Sequence, residues 1–310
     1  MLSSNVRLLV ALAVAVTALA GCLANASCET KPVVAASNQE RSPRSRVLID
    51  DNWRFIKGDP PNCMTSLLYD VRPKGSDGSA STLGTQTAVP KPATVKSWIL
   101  PTGGAFLEDA SKAARRPEGN LGDGVAYVAE NFDDSTWQKV DLPHDYAIEG
   151  PFSASGGGGM GRLPSDGVVW YRKHLSIPAS DRGKSIFLDI DGAMSYSEVW
   201  LNRHFVGGWP YGYASFRLNL TPYAKPGAQN VLAIRLDSPP DSSRWYPGGG
   251  LYRNVWLVET APVHVAQWGT YITTPEVSGK AATVSLKVAL DDDSMQDASV
   301  SVGTQLFVNR

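Results

Sequence analysis

The sequence predicts an all-β protein built as an antiparallel sandwich or jelly roll. Three observations lead there. From Val125 onward, short apolar runs recur about every ten to fifteen residues, separated by Gly, Pro and Asp. The composition suits turns rather than helices, with 29 Gly, 21 Pro, 9 Trp and 11 Tyr in 310 residues, and no sustained helical period follows residue 30. Finally, there is no βαβ rhythm, and "GGGGMG" (156–161) lacks the Lys-Ser/Thr and the following helix of a nucleotide loop.

Residues 1–22 read as a leader rather than as fold. Arg7 precedes an apolar run, Leu8 to Ala20, whose 13 residues suit a signal-peptide core and are short for a bilayer span. The ending "LAGC" resembles a bacterial lipobox, which would make Cys22 the lipidated first residue and hold the protein at a membrane. Cleavage after Ala26 would instead leave a soluble secreted protein. Residues 23–45 mix small, polar and charged residues without periodicity and read as a flexible tether. In an exported protein Cys28 and Cys63 could pair, and the sequence leaves this open. With 29 Lys+Arg against 30 Asp+Glu, the net charge of −1 gives no field to attract nucleic acid.

A first domain is expected over 46–262. "RVLIDDNWRFIKGD" (46–59) places Val47, Ile49, Trp53 and Phe55 at strand spacings around an Asp-Asp-Asn turn. An irregular insert, 60–124, follows. A structureless loop of that length would be unusual, so parts of it should pack on the core, "KSWILPTGGAF" (96–106) foremost. "VVWYRKHLSI" (168–177) alternates, and "KSIFLDIDG" (184–192) reads as a buried strand. "SEVWLNRHFVGG" (197–208) reads as a hairpin turning at Asn202-Arg203. "SFRLNL" (215–220) aligns Phe216, Leu218 and Leu220 on one face, and "NVLAIRLD" (230–237) does so for Leu232, Ile234 and Leu236. "RNVWLVE" (253–259) closes the series. After a boundary at Ala261-Pro262, residues 263–310 read as three more strands, "HVAQWGTYITTPEV", "ATVSLKVAL" and "ASVSVGTQLFV". An immunoglobulin-like sandwich takes about 100 residues, so these 48 would be part of one.

Five blocks in this order resemble the amino-terminal part of family 2 glycoside hydrolases: "FDDSTWQKVDLPHDYAIEGPF", "GVVWYRKHL", "DGAMSYSEVWLN", "GYASFRLNLTPYAKPGAQNVLAIRLDS" and "SRWYPGGGLYRNVWL". "LPHDY" and "SRWYPGGG" look most like the β-galactosidase branch. The resemblance implies a galactose-binding-like jelly-roll sandwich, then an immunoglobulin-like sandwich, then a catalytic (β/α)₈ barrel. Full-length relatives are often homo-oligomers. One departure is the hairpin turn, usually Asn-Gly, where Arg203 is a poor fit to the positive φ of a type I′ turn; a longer or differently shaped loop is expected.

The two catalytic glutamates of this family come from the barrel, and a barrel takes about 250 residues. Glycosidases need two carboxylates, in retaining enzymes about 5–5.5 Å apart, and the acids present do not read as such a pair. Asp133-Asp134 suits an Asx turn, and Asp291 to Asp293 a solvated loop between strands. Asp145 and Glu149 lie four apart in a non-helical segment, with no predictable facing. His144, His174, His204 and His264 are scattered, so no metal site or other cofactor is expected, and no Gly-x-Ser-x-Gly elbow occurs.

What remains is sugar recognition. By the resemblance, Asp145 matches an Asn or Asp that contacts sugar hydroxyls; a carboxylate can accept from two vicinal OH groups. Asp145 capping a turn after Pro143 is the plainer reading. His144 would orient its neighbour. Arg244 and Tyr246 are the second pair of candidate sugar-binding residues, a guanidinium fork beside an aromatic face. Trp245 suits an anchor in the fold. Gly248, Gly249 and Gly250 would let the loop turn tightly and approach a ligand.

The expectation is therefore a non-catalytic amino-terminal part of a β-galactosidase-like hydrolase, binding a β-galactoside-type carbohydrate and lipid-anchored through Cys22 in the periplasm or at the outer membrane. The alternative is a stand-alone carbohydrate-binding lipoprotein without hydrolytic activity.

Overall fold

A computed structural model describes residues 6–17, 44–61, 63, 69–70, 94–95, 119–151, 163, 165, 167–238 and 248–305. Cys22, Cys28, the stretch 96–106 and the trio Arg244, Trp245 and Tyr246 lie outside the described residues. In chain order the strands are β1 (Val6–Thr17), β2 (Arg44–Leu48), β3 (Trp53–Lys57), β4 (Tyr69–Asp70), β5 (Thr94–Val95), β6 (Gln138–Val140), β7 (Gly167–Ser176) and β8 (Ser185–Ile190). They continue as β9 (Ser197–Leu201), β10 (His204–Trp209), β11 (Phe216–Asn219), β12 (Gln229–Ser238), β13 (Val255–Thr260), β14 (Val263–Val277) and β15 (Ala281–Asp292). Two compact units result: Ser45–Glu259, and Met1–Arg44 with Thr260–Arg310.

The larger unit is a two-sheet β-sandwich. One sheet has the order β10-β9-β12-β7-β3-β6 and the other β11-β8-β13-β2. Side chains alternate across a strand, so Leu232, Ile234 and Leu236 of β12 join Trp53, Phe55, Leu188, Ile190 and Leu218 in one core cluster. Ala233 faces the other way, into a second cluster with Trp170, Trp200, Phe205, Val125, Val128 and Trp137. Both faces of the long sheet are thus covered near its centre. Each fully buried side chain of this size contributes about 1.5–3 kcal/mol. Cys63 and Leu121, from the insert, pack on this second cluster as partly buried residues.

Double coverage buries both faces of β7, not only the one that the alternation marks. In β7 the odd residues Val169, Tyr171 and Leu175 enter the first core, yet Arg172 on the opposite face is also fully buried. Its guanidinium donates to Asp134 Oδ2 at 2.8 Å, to Ala129 O at 3.2 Å and to Tyr127 O. His174 and Arg54 meet the same carboxylate at 2.9 and 3.9 Å. The Asx turn expected at Asp133-Asp134 is therefore half right. Asp133 Oδ1 accepts from Ser135 N at 2.9 Å, whereas Asp134 is a buried ion-pair hub, because a central strand that buries an arginine needs a counter-charge.

Three other expectations change. The Asn202-Arg203 turn is neither long nor misshapen: Leu201 and His204 pair directly, and both turn residues take positive φ, 49° and 65°. Asn202 is held there by buried hydrogen bonds to Tyr223 O, Asn230 Oδ1 and Val231 N, each 2.8–2.9 Å. In the smaller unit, β14 and β15 form an antiparallel hairpin, and Asp291 and Asp292 end β15 opposite His264 and Val263 rather than forming a loop between strands. The third strand expected there is absent over its described residues, 298–305. The second edge of β15 is taken by β1, from Val6↔Asp292 to Thr17↔Ala281. The run read as a leader core is the one that supplies β1; a Val- and Leu-rich segment satisfies its backbone groups on the nearest strand edge.

Candidate functional site

Two loops meet at one end of the sandwich, and backbone chemistry locks them together. The first follows β6. His144 N donates to Leu251 O at 2.8 Å, and Asp145 Oδ1 accepts from Ala147 N at 3.0 Å, closing an Asx turn. The same oxygen accepts from Gly249 N of the second loop at 2.9 Å. The plain reading of Asp145, as a turn cap, is therefore correct as local structure. Two amides converging on one oxygen also fix the orientation of a half-exposed carboxylate.

The glycines have a steric cause. A Cβ on Gly249 would lie 2.5 Å from Tyr146 Cε1, and one on Gly250 would collide with Tyr171 Oη and come within 2.6 Å of His144 O. Gly248 and Gly250 also take positive φ, 67° and 91°. Gly250 exchanges backbone hydrogen bonds with Met194, at 2.9 and 3.2 Å, so the loop is pinned on both sides.

His144 is buried and engaged on both ring nitrogens. Its Nδ1 meets Tyr171 Oη at 2.8 Å and its Nε2 meets Glu149 Oε1 at 3.1 Å, while Phe55 packs edge-on at 4.7 Å. A carboxylate only accepts, so Nε2 carries the proton and Nδ1 accepts from the tyrosine. Burial holds the imidazole below its ordinary pKa, with Glu149 pulling the other way. Glu149, four residues from Asp145, thus serves the histidine rather than pairing with the aspartate. Tyr146 donates to Ser165 O at 2.5 Å, and Lys57 Nζ lies 5.1 Å from its ring centroid.

Sequence reasoning named Asp145, His144 and the glycines, and the structure brings these together. It did not find Tyr146 or Tyr171, and it weighed Glu149 only as a partner for Asp145. The signal was available only in part: three glycines in a row point to a crowded neighbour without saying which. Arg244, Trp245 and Tyr246 lie outside the described residues. The other histidines are apart: His204 stacks on Tyr223 at 4.7 Å, and His264 meets Pro262 O at 3.1 Å. Among the described residues no three His, Cys, Asp or Glu side chains gather as a metal site.

Another buried charge cluster sits on the outer face of β12 and β9. Arg235 is bidentate to Asp59 at 2.8 Å and lies 3.3 and 3.7 Å from Asp237 and Glu198. Burial pushes the nearby Cys63 thiol up to about 11. A recess of about 380 Å³, lined by Asp123, Val125, Glu130 and Arg203 among others, lies at the β9–β10 turn. That turn is at the far end of β9 from Met194 and Gly250.

The comparisons with known proteins give the class: the chain matches the amino-terminal β-sandwich portion of family 2 glycoside hydrolases, its homologues being β-galactosidases and β-glucuronidases. It is 47% identical over 190 residues to a β-galactosidase of Bacteroides ovatus, a match covering 60% of this chain and 22% of that protein. A β-glucuronidase of Formosa agariphila is 26% identical over 202 residues, 58% of this chain and 21% of the relative. A crystal structure of a glycosyl hydrolase family 2 member from Bacteroides cellulosilyticus superposes with a TM-score of 0.56 at 26% identity, covering 79% of this chain and 24% of that one. No protein-family model matches the chain. The chain spans about a fifth of the length of the curated relatives it matches.

Proposed function

We propose that this chain is the non-catalytic amino-terminal part of a β-galactosidase-like hydrolase and that it supplies one wall of a sugar subsite. The observation that supports this reading best is the Asp145 carboxylate, fixed by amides from two loops at one end of the sandwich. A carboxylate held in this way can accept from sugar hydroxyls without paying to be ordered. Arg244 and Tyr246 would line the same wall, and the hairpin of 263–292 would begin an immunoglobulin-like domain. The chain would be exported and lipid-anchored at Cys22, a reading supported by the 13-residue apolar run and the "LAGC" ending.

The test is a graft. Residues 46–262 replace the corresponding segment of the Bacteroides ovatus relative, and hydrolysis of 4-nitrophenyl β-galactoside is followed. The graft should be active, and Asp145→Ala should raise KM about tenfold or more with the fold checked by circular dichroism, whereas Asp145→Asn, whose Oδ1 can still accept from both amides and from a hydroxyl, should keep most of the affinity. An unchanged KM in Asp145→Ala would refute the assignment of Asp145.

A further inference from the structure

The loop between β10 and β11 holds two tyrosines out of the protein. Tyr211 is 58% exposed and Tyr213 48%, and their rings meet edge to face with centroids 5.5 Å apart. Single exposed aromatics are ordinary; here two stand side by side on a fixed support. Gly212 between them accepts from Tyr252 Oη at 2.7 Å, and a Cβ there would collide with Met194 Sδ. Pro210 O accepts from Tyr196 N at 3.1 Å. The backbone is clamped, and the rings project from it.

The same clamp places the tyrosines beside the candidate site. Met194, packed on Gly212, exchanges backbone hydrogen bonds with Gly250. Gly249, the next residue back, donates to Asp145. Tyr211 and Tyr213 therefore stand two packed residues away from the loop that holds the carboxylate, at the same end of the sandwich.

We propose that Tyr211 and Tyr213 form a platform for a further unit of an extended β-linked galactosaccharide whose terminal unit lies at Asp145. The chemistry fits this ligand class. A galactose ring offers an apolar CH face to a tyrosine ring and hydroxyls to the phenol oxygens, and a rigid aromatic provides contact area at little entropic cost. This inference rests on the reading of the Asp145 loop as a sugar subsite, and the test separates the two.

The purified 310-residue chain is titrated calorimetrically with linear β-galactotetraose and, separately, with methyl β-galactoside. The tetraose should bind measurably and the monosaccharide far more weakly. Tyr211→Ala/Tyr213→Ala should weaken tetraose binding at least tenfold, while Tyr211→Phe/Tyr213→Phe, which keeps both ring faces, should retain most of it. No tetraose binding, or binding indifferent to the alanine pair, overturns the platform. A self-association of the chain that is lost in the alanine pair, without any saccharide effect, overturns it in favour of a contact between copies. If Asp145→Ala leaves tetraose affinity unchanged while the alanine pair abolishes it, the platform stands and the Asp145 subsite falls.

Discussion

Asp134 and Asp145 are both anchored aspartates of the same sandwich, and they are anchored by opposite means. Asp134 is buried against charges: Arg172 at 2.8 Å, His174 at 2.9 Å and Arg54 at 3.9 Å. Asp145 is half-exposed and held by two neutral amides. Asp134, at 8% side-chain exposure, is held by full charges, whereas the amides on Asp145 bring only partial ones. The contrast is between an acid that neutralises buried cations and one that fastens two loops to each other.

That contrast can be broken most forcefully at Asp134. Asp134→Ala would leave the fully buried Arg172 without its counter-charge and should cost about 3–5 kcal/mol, read as a lowered urea midpoint. A loss similar to that of Asp145→Asn would show that the two carboxylates are not different in kind. Next comes Gly250→Ala, which puts a methyl group against Tyr171 and His144 O at a φ of 91°. Overpacking and backbone strain together should cost about 2–4 kcal/mol. Thermal melting of the variant would measure it, and a neutral result would mean the two loops are not held against each other.

The smallest effect is on pH. His144 is held below its ordinary pKa of 6.5 by burial, so the unfolded chain takes up a proton that the folded one resists. Stability from this group is present above the unfolded pKa and declines as pH falls through about 6.5 toward the lower folded value, with a slope under about 1.4 kcal/mol per pH unit. His144→Gln should flatten this part of the profile in urea titrations between pH 7.5 and 5. An unaltered slope would remove His144 as the cause.

Much of the sandwich was legible because strand periodicity is local. Leu232, Ile234 and Leu236 announced one core face, and Ile186, Phe187, Leu188 and Ile190 announced a buried strand. The turn at Asn202-Arg203 was located but misjudged in shape. Its positive φ values depend on Asn230, Val231 and Tyr223, which are 21 to 29 residues away. The same limit applied to Asp134, whose partners on β7 lie about forty residues on.

By itself, the sequence determined the all-β class and the two stretches, "LPHDY" and "PGGG", where the candidate site would form. The class follows from side-chain period and turn chemistry, which act over a few residues, and the two stretches from the family resemblance. Only the tertiary structure decided that Gly249 would close on Asp145 across 104 positions, that Tyr146 and Tyr171 would crowd the glycines, and that Tyr211 and Tyr213 would stand beside them. Periodicity tells a residue which face it is on; only the packing of distant strands determines its partner there.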